Sequence, residues 1–108
     1  MNAEQAKIHL NDELYNLQNL SDKTKESRAP VELDQQSVGR LSRMDALQKQ
    51  NMELATEQRR QVRIKAVQAA LERIEAGDYG YCVMCDEAIA PQRLSFDPAI
   101  AVCISCSR

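Results

Sequence analysis

Four cysteines fall as two C-x2-C pairs, Cys82 with Cys85 and Cys103 with Cys106, with seventeen residues between the pairs and no cysteine elsewhere. A two-residue gap lets one tight turn present both sulfurs of a pair to the same ion, and two such turns supply the thiolate tetrahedron that zinc prefers. The competing assignment, two disulfides, belongs to small exported domains. The first twenty residues, beginning Met1, Asn2, Ala3 and Glu4, hold no apolar stretch of the kind an export signal needs. The pattern therefore predicts one structural Zn2+ in a cytoplasmic protein. Four protein ligands leave the ion no open position, so it builds structure and does not activate water.

The rest of the chain reads as helix. Gly and Pro number three each, and residues 1–76 contain only Gly39 and Pro30. One Phe, three Tyr and no Trp give little bulk for a core, so the compact part is a single small unit. The longest apolar run, Ala99 to Ile104, is far shorter than the roughly 20 residues that cross a bilayer, and no membrane association is expected. Net charge runs −3 over residues 1–34, +3 over 35–76 and −2 over 77–108. An acidic segment followed by a basic one suits two antiparallel helices. It does not suit direct binding to nucleic acid, which calls for a net basic face.

A first helix is predicted from Ala3 to Ser27, its stripe formed by Ala3, Ala6, Leu10, Leu14, Leu17 and Leu20, with Pro30 ending it. A second is predicted from Asp34 to Ala76, following Val38, Leu41, Met44, Met52, Ala55, Val62, Ala66, Ala70 and Ile74, a stripe that Gln48 and Arg59 interrupt. Leu47 and Leu54 lie off that stripe and either widen the contact with the first helix or form a patch for another protein. Gly77 is placed to close the second helix in a left-handed conformation. The first helix is expected to pair with the start of the second, leaving Val67, Leu71 and Ile74 to pack on the cysteine segment beneath Tyr79, Tyr81, Leu94 and Phe96. The expected fold is mostly α: a long antiparallel helical hairpin, or coiled coil, over residues 1–76 with its tip near 28–36. A small tetracysteine zinc finger over 77–108 follows, packed on the end of the second helix.

Gly80, Tyr81, Cys82, Cys85, Ile89, Arg93, Leu94, Pro98, Cys103 and Cys106, with their spacing, resemble the zinc-finger signature of the DksA/TraR family of bacterial transcription regulators. The resemblance is specific over residues 77–106 and extends upstream in general shape. It implies a protein that binds RNA polymerase, inserting its hairpin through the secondary channel toward the active centre, often with guanosine tetraphosphate in the complex and with no DNA contact of its own. In the family's best-known members the tip carries two aspartates three apart and an alanine two further on. Here those positions hold Val31, Asp34 and Gln36, with Glu32 displaced in register. The partner-binding residues so implied are Asp34 and Glu32 at the tip, with Arg40 and Arg43 beside it. Asp34 is equally suited to cap the second helix. The reading expects no helix after the finger.

The remaining features take plainer assignments. Arg59, Arg60, Arg63 and Lys65 point around the helix and read as a solvated, partly ion-paired surface, with contact to an acidic rim of a partner as the sharper alternative. Aspartate at Asp86, where such knuckles often need a positive φ, tolerates that conformation. Arg93 is expected to pair with Asp86, Glu87 or the second helix, and His9 is not expected to be a metal ligand. No nucleophile–histidine arrangement, phosphate loop or open metal site is visible, so no enzyme is predicted. Beside the polymerase-binding reading stand a zinc-stabilised interaction module with another protein partner and, less favoured, a zinc-ribbon nucleic-acid binder.

Overall fold

The computed structural model describes residues 2–28 and 40–107, with side chains at all of these except 27 and 40–43. Helix α1 spans Ala3–Lys23. Asn2 caps it through a reciprocal box, its side chain accepting from the Gln5 amide at 2.8 Å while the Gln5 side chain accepts from the Asn2 amide at 3.2 Å. The helix ends four residues before the predicted Ser27. Thr24 occupies the carboxyl-terminal cap and its hydroxyl donates to the Leu20 carbonyl at 2.7 Å, and a single 3-10 turn follows at Glu26–Arg28. Helix α2 spans Arg40–Ala76. The predicted start at Asp34 lies outside the described residues.

Gly77 terminates α2 as expected. With φ at 80° it donates to the Ile74 carbonyl at 3.2 Å, while the Asp78 amide reaches back to Arg73 at 2.8 Å, the two bonds of a Schellman closure. The chain then forms the cysteine lobe. Its short helix α3, Pro91–Phe96, starts on a proline that needs no amide partner at that position. An isolated antiparallel bridge joins Tyr81 to Ala88.

The helices run antiparallel, but in a different register from the one the apolar pattern implied. Lys7 pairs with Glu75 at 2.8 Å, Glu13 with Arg63, and Ser21 with Glu57, so α1 lies along the carboxyl-terminal half of α2 and not along its start. The core at that end consists of Ala6 and Leu10 of α1, Val67 and Ala70 of α2, and Ala99 of the cysteine lobe, with Leu14, Leu71, Ile74 and Tyr79 packed around it. Val67, Leu71 and Ile74 thus serve α1 and the lobe together. Of the residues expected to cover them, Tyr79 is partly buried against them and Leu94 is buried within the finger, but Tyr81 and Phe96 face solvent; Ala99 supplies the contact instead.

The seam of α2 also differs from the predicted stripe. Its inward positions are Glu57, Arg60, Ile64, Val67, Leu71 and Ile74, an alternation of three- and four-residue steps, whereas Met44, Met52 and Val62 are exposed. Leu47 and Leu54 are exposed as well, and so is Leu20 of α1. The reason is chemical. Toward the tip, charge and not hydrocarbon joins the helices. Glu57, 9% exposed, accepts from Ser21, Arg60 and Gln61 (2.7 Å) and from Arg28 at 3.1 Å, while Arg28 also donates to Thr24 at 2.7 Å. Burial alone would raise the Glu57 carboxyl. The bonds from Ser21, Gln61 and Arg60, with the Arg28 charge, outweigh it and hold the group at about 2. Arg60 and Arg63, read from sequence as part of a solvated, partly ion-paired surface, are ion-paired as expected but partly buried.

A candidate metal centre

The finger is assembled by backbone hydrogen bonds on either side of the first cysteine pair. Cys82 donates to the Glu87 carbonyl and Ile89 to that of Gly80, each at 2.8 Å, which closes the first loop on itself. Asp86 donates to the Cys82 carbonyl at 2.9 Å and carries the positive φ, 63°, that its place after the second cysteine predicts. Val83 donates to Ala101 at 2.9 Å, tying the first loop to the strap that leads into Cys103, and Ser107 to Cys103 at 3.1 Å closes the second loop. Cys82, Ile89 and Leu94 form a small core under the loops, flanked by Tyr79, Ile100, Val102, Cys103 and Cys106.

These constraints bring all four sulfurs within 4.8 Å of one another. The Cys85 and Cys103 sulfurs stand 3.6 Å apart, far beyond a bonded pair, and all four cysteines are free thiols. A tetrahedral zinc with Zn–S bonds of about 2.3 Å needs sulfurs about 3.8 Å apart, so the tetrad has the dimensions of a filled site. Exposure is graded, from Cys82 at 1% to Cys85 at the surface.

Electrostatics points the same way. At Cys82 burial disfavours the thiolate, but the amides of Cys103, Met84 and Cys85 prevail and lower the thiol to about 6. The Met84 amide lies 3.4 Å from that sulfur. Cys103 is lowered too, chiefly by the Cys106 amide. At Cys85 the Glu87 amide favours the thiolate, yet burial and bonds to Cys82 and Cys103 leave it raised, and Cys106 is pushed up to about 12 by its bonds to Cys103, Cys85 and Cys82. Sulfurs packed this closely cannot all be anionic unless a cation sits among them. Backbone amides aimed at sulfur would then offset the formal charge of −2 on a zinc tetrathiolate.

Sequence reasoning missed the strap, residues 97–102, that fastens this centre to the hairpin. Arg63 donates to Asp97 at 2.9 and 3.2 Å, Tyr79 to the Pro98 carbonyl at 2.9 Å, and Arg73 to the carbonyls of Ala99 and Ile100. Arg93, expected to pair with an acidic residue, donates to the Val102 carbonyl at 3.1 Å. His9 is exposed on α1, away from the sulfurs. Of the other residues singled out from sequence, Glu32 and Asp34 lie outside the described residues, and Arg40 and Arg43 occupy the first turn of α2 with their side chains outside them. Among the described residues no helix is long and apolar enough to cross a membrane.

A two-helix hairpin with a tetracysteine C4 finger at its base is the class of protein that fold and site define. Residues 77–108 match the family described as the prokaryotic dksA/traR C4-type zinc finger. That segment is a finger of the dksA/traR type, and the chain as a whole is similar to DksA-like proteins. It is 34% identical over 56 residues to the RNA polymerase-binding transcription factor DksA of Haemophilus influenzae, an alignment covering 52% of this chain and 39% of that one. The factor of the same name from Escherichia coli matches at 34% over 56 residues, 52% of this chain and 37% of its own. An uncharacterized protein of Aquifex aeolicus is 32% identical over 92 residues, 83% of this chain and 55% of that one. The matched part thus spans about two-fifths of the DksA relatives' length. The structure of transcription factor DksA2 from Pseudomonas aeruginosa superposes with a TM-score of 0.76 at 20% identity, covering 97% of this chain and 79% of that one, and so shares the fold.

Proposed function

We propose that this chain is a transcription regulator that binds RNA polymerase through the secondary channel, its hairpin inserted toward the active centre and its finger holding one structural zinc on Cys82, Cys85, Cys103 and Cys106. The observation that carries the reading is a sulfur tetrad of metal-site dimensions at the base of a molecule 61 Å long and 19 Å across its narrowest axis. An elongated body of 61 × 28 × 19 Å suits insertion into a channel, and a closed four-sulfur site anchors its base. The naming of its DksA relatives as RNA polymerase-binding factors supports the choice of partner. When bound, zinc supplies a rigid fourfold crosslink between the two cysteine loops and no reactive ligand position.

In this reading the tip residues Glu32 and Asp34 approach the catalytic centre, with Arg40 and Arg43 against the channel wall and guanosine tetraphosphate as a companion ligand of the complex. The test is co-purification of the zinc-loaded chain with core RNA polymerase, followed by transcription in vitro. Binding that a channel-occupying factor competes away, and an effect on initiation that Asp34→Asn abolishes, are the expected results. Asparagine keeps the ability to cap a helix, so loss of regulation isolates the charge. Absence of polymerase from the eluate at micromolar protein would transfer the function to another protein partner.

A further inference from the structure

Arg63 occupies an unusual position between the finger and both helices. Its guanidinium meets Glu13 of α1 through Nε at 2.5 Å and Nη2 at 3.0 Å, and meets Asp97 of the strap through Nη1 at 3.2 Å and Nη2 at 2.9 Å. Asp97 also accepts the Ala99 amide at 3.1 Å, which aims the Ala99 methyl into the hairpin core. One cation therefore bridges α1, α2 and the loop that leads into Cys103. All three side chains are about one-third exposed, 32%, 33% and 29%, so the bridge is open to solvent ions.

Its distance from the joint gives this contact a mechanical role. The finger's covalent link to the hairpin is Gly77, where φ is 80° and nothing stands within 4 Å of the place a Cβ would take. The two Schellman bonds fix the end of α2 there, but no side chain packs on the joint to brace the finger against rotation beyond it. The bonds of Tyr79 and Arg73 to the strap arise at or near that joint. Arg63 lies about 21 Å up the helix from Gly77, so its grip on Asp97 opposes rotation with the longest lever. Removing the guanidinium would also leave the Glu13 and Asp97 carboxylates facing each other with no cation between them, turning a tie into a repulsion.

We propose that Arg63 is a positioning residue that sets the angle between the finger and the hairpin, and so fixes where the tip falls when a partner holds the finger. The consequence for a partner rests on the polymerase-binding reading; the angle itself does not. From Gly77 to the start of α2 is about 55 Å, so a rotation of about 10° at that joint displaces the tip-proximal end by about 10 Å. That is ample to move a carboxylate out of contact with its target.

The experiment compares residual dipolar couplings of the zinc-loaded full chain with those of Arg63→Gln and Asp97→Asn. In the parent one alignment tensor is expected to fit α1, the second half of α2 and the finger together. In either variant the finger should require its own tensor or show reduced couplings, while zinc content and amide shifts around the four cysteines stay unchanged. The exchanged pair Arg63→Asp with Asp97→Arg keeps the same three charges and should restore the shared tensor. Because the bridge is one-third exposed, raising salt toward 1 M, where the screening length is about 3 Å, should loosen the parent in the same direction but to a smaller extent than either variant. This arm remains decisive if a substituted chain fails to retain zinc or helix. A single tensor in both variants, or in the parent at every salt concentration, overturns the proposal. Polymerase affinity of Arg63→Gln should fall several-fold. If the parent binds no polymerase while the couplings respond as stated, the functional reading fails and the positioning role stands.

Discussion

The two ends of the hairpin solve the same packing problem with opposite chemistry. At the base, Leu10, Val67 and Ala70 meet Ala99 of the finger in a closed apolar cluster. Toward the tip, the matching seam positions carry Ser21, Thr24 and Arg28 on one side and Glu57, Arg60 and Gln61 on the other. Apolar contact is tolerant of small slips, whereas a buried carboxylate between two guanidiniums is satisfied in one arrangement only. The base supplies cohesion. The tip-side network supplies specificity of register.

The difference can be broken or sharpened in graded steps. Chelating the metal should have the largest effect, since structural zinc binding contributes about 10–16 kcal/mol in small metal domains. NMR should show finger amides 78–107 collapsing toward random-coil shifts, the base loosening through loss of Ala99, and the Glu57 network changing least. Leu10→Ala should cost about 3 kcal/mol in chemical denaturation, within the range for a buried leucine. Glu57→Ala should cost a comparable amount, about 3 kcal/mol, because two arginines lose their buried anion. The two sites part company on full replacement. Converting Glu57, Arg60 and Arg28 together to Leu, Leu and Met should recover most of the loss, whereas no further substitution around an emptied Leu10 site should do so without restoring volume.

Acid gives a milder test. The Glu57 carboxyl is held at about 2, below its ordinary 4.5. A depressed carboxyl stabilises the fold above its unfolded value and loses that contribution as pH falls through the folded one. The tip-side network should thus weaken between about pH 4.5 and 2, by on the order of 2 kcal/mol, and the slope should disappear in Glu57→Gln. The smallest effect belongs to Lys7→Met, which removes an exposed pair with Glu75 and should leave the denaturation midpoint essentially unchanged.

These contrasts explain what the sequence disclosed. The sulfur tetrad was legible because its spacing encodes a local turn chemistry, and Gly77 was legible because a single residue type dominates left-handed helix ends. Ala6, Leu10, Ala70 and Ile74 were found by periodicity because at the base the seam is apolar. Toward the tip the same rule chose the wrong face: Met52 and Val62 outrank Glu57 and Arg60 on any hydropathy count, yet the charged pair faces α1. Nothing in α2 alone reveals this, since burying Glu57 is favourable only when Ser21 and Arg28 arrive from a segment far away in sequence. The strap was invisible for a related reason. Asp97 and Ala99 become structural only once α1 and α2 have delivered Arg63 and the Leu10 pocket.

The buried carboxylate at Glu57 also makes the rod a gauge. Sliding one helix along the other by a heptad, about 10.5 Å, would carry that anion from Ser21 toward the hydrocarbon of Leu14 and part it from Arg28. Intermediate slips likewise part Glu57 from its two donors on the other arm, Ser21 and Arg28. The span from the sulfur anchor to the far end is consequently graduated in single residues of about 1.5 Å, and inserting or deleting a heptad pair in both arms, outside the network, would yield a longer or shorter instrument of equal exactness.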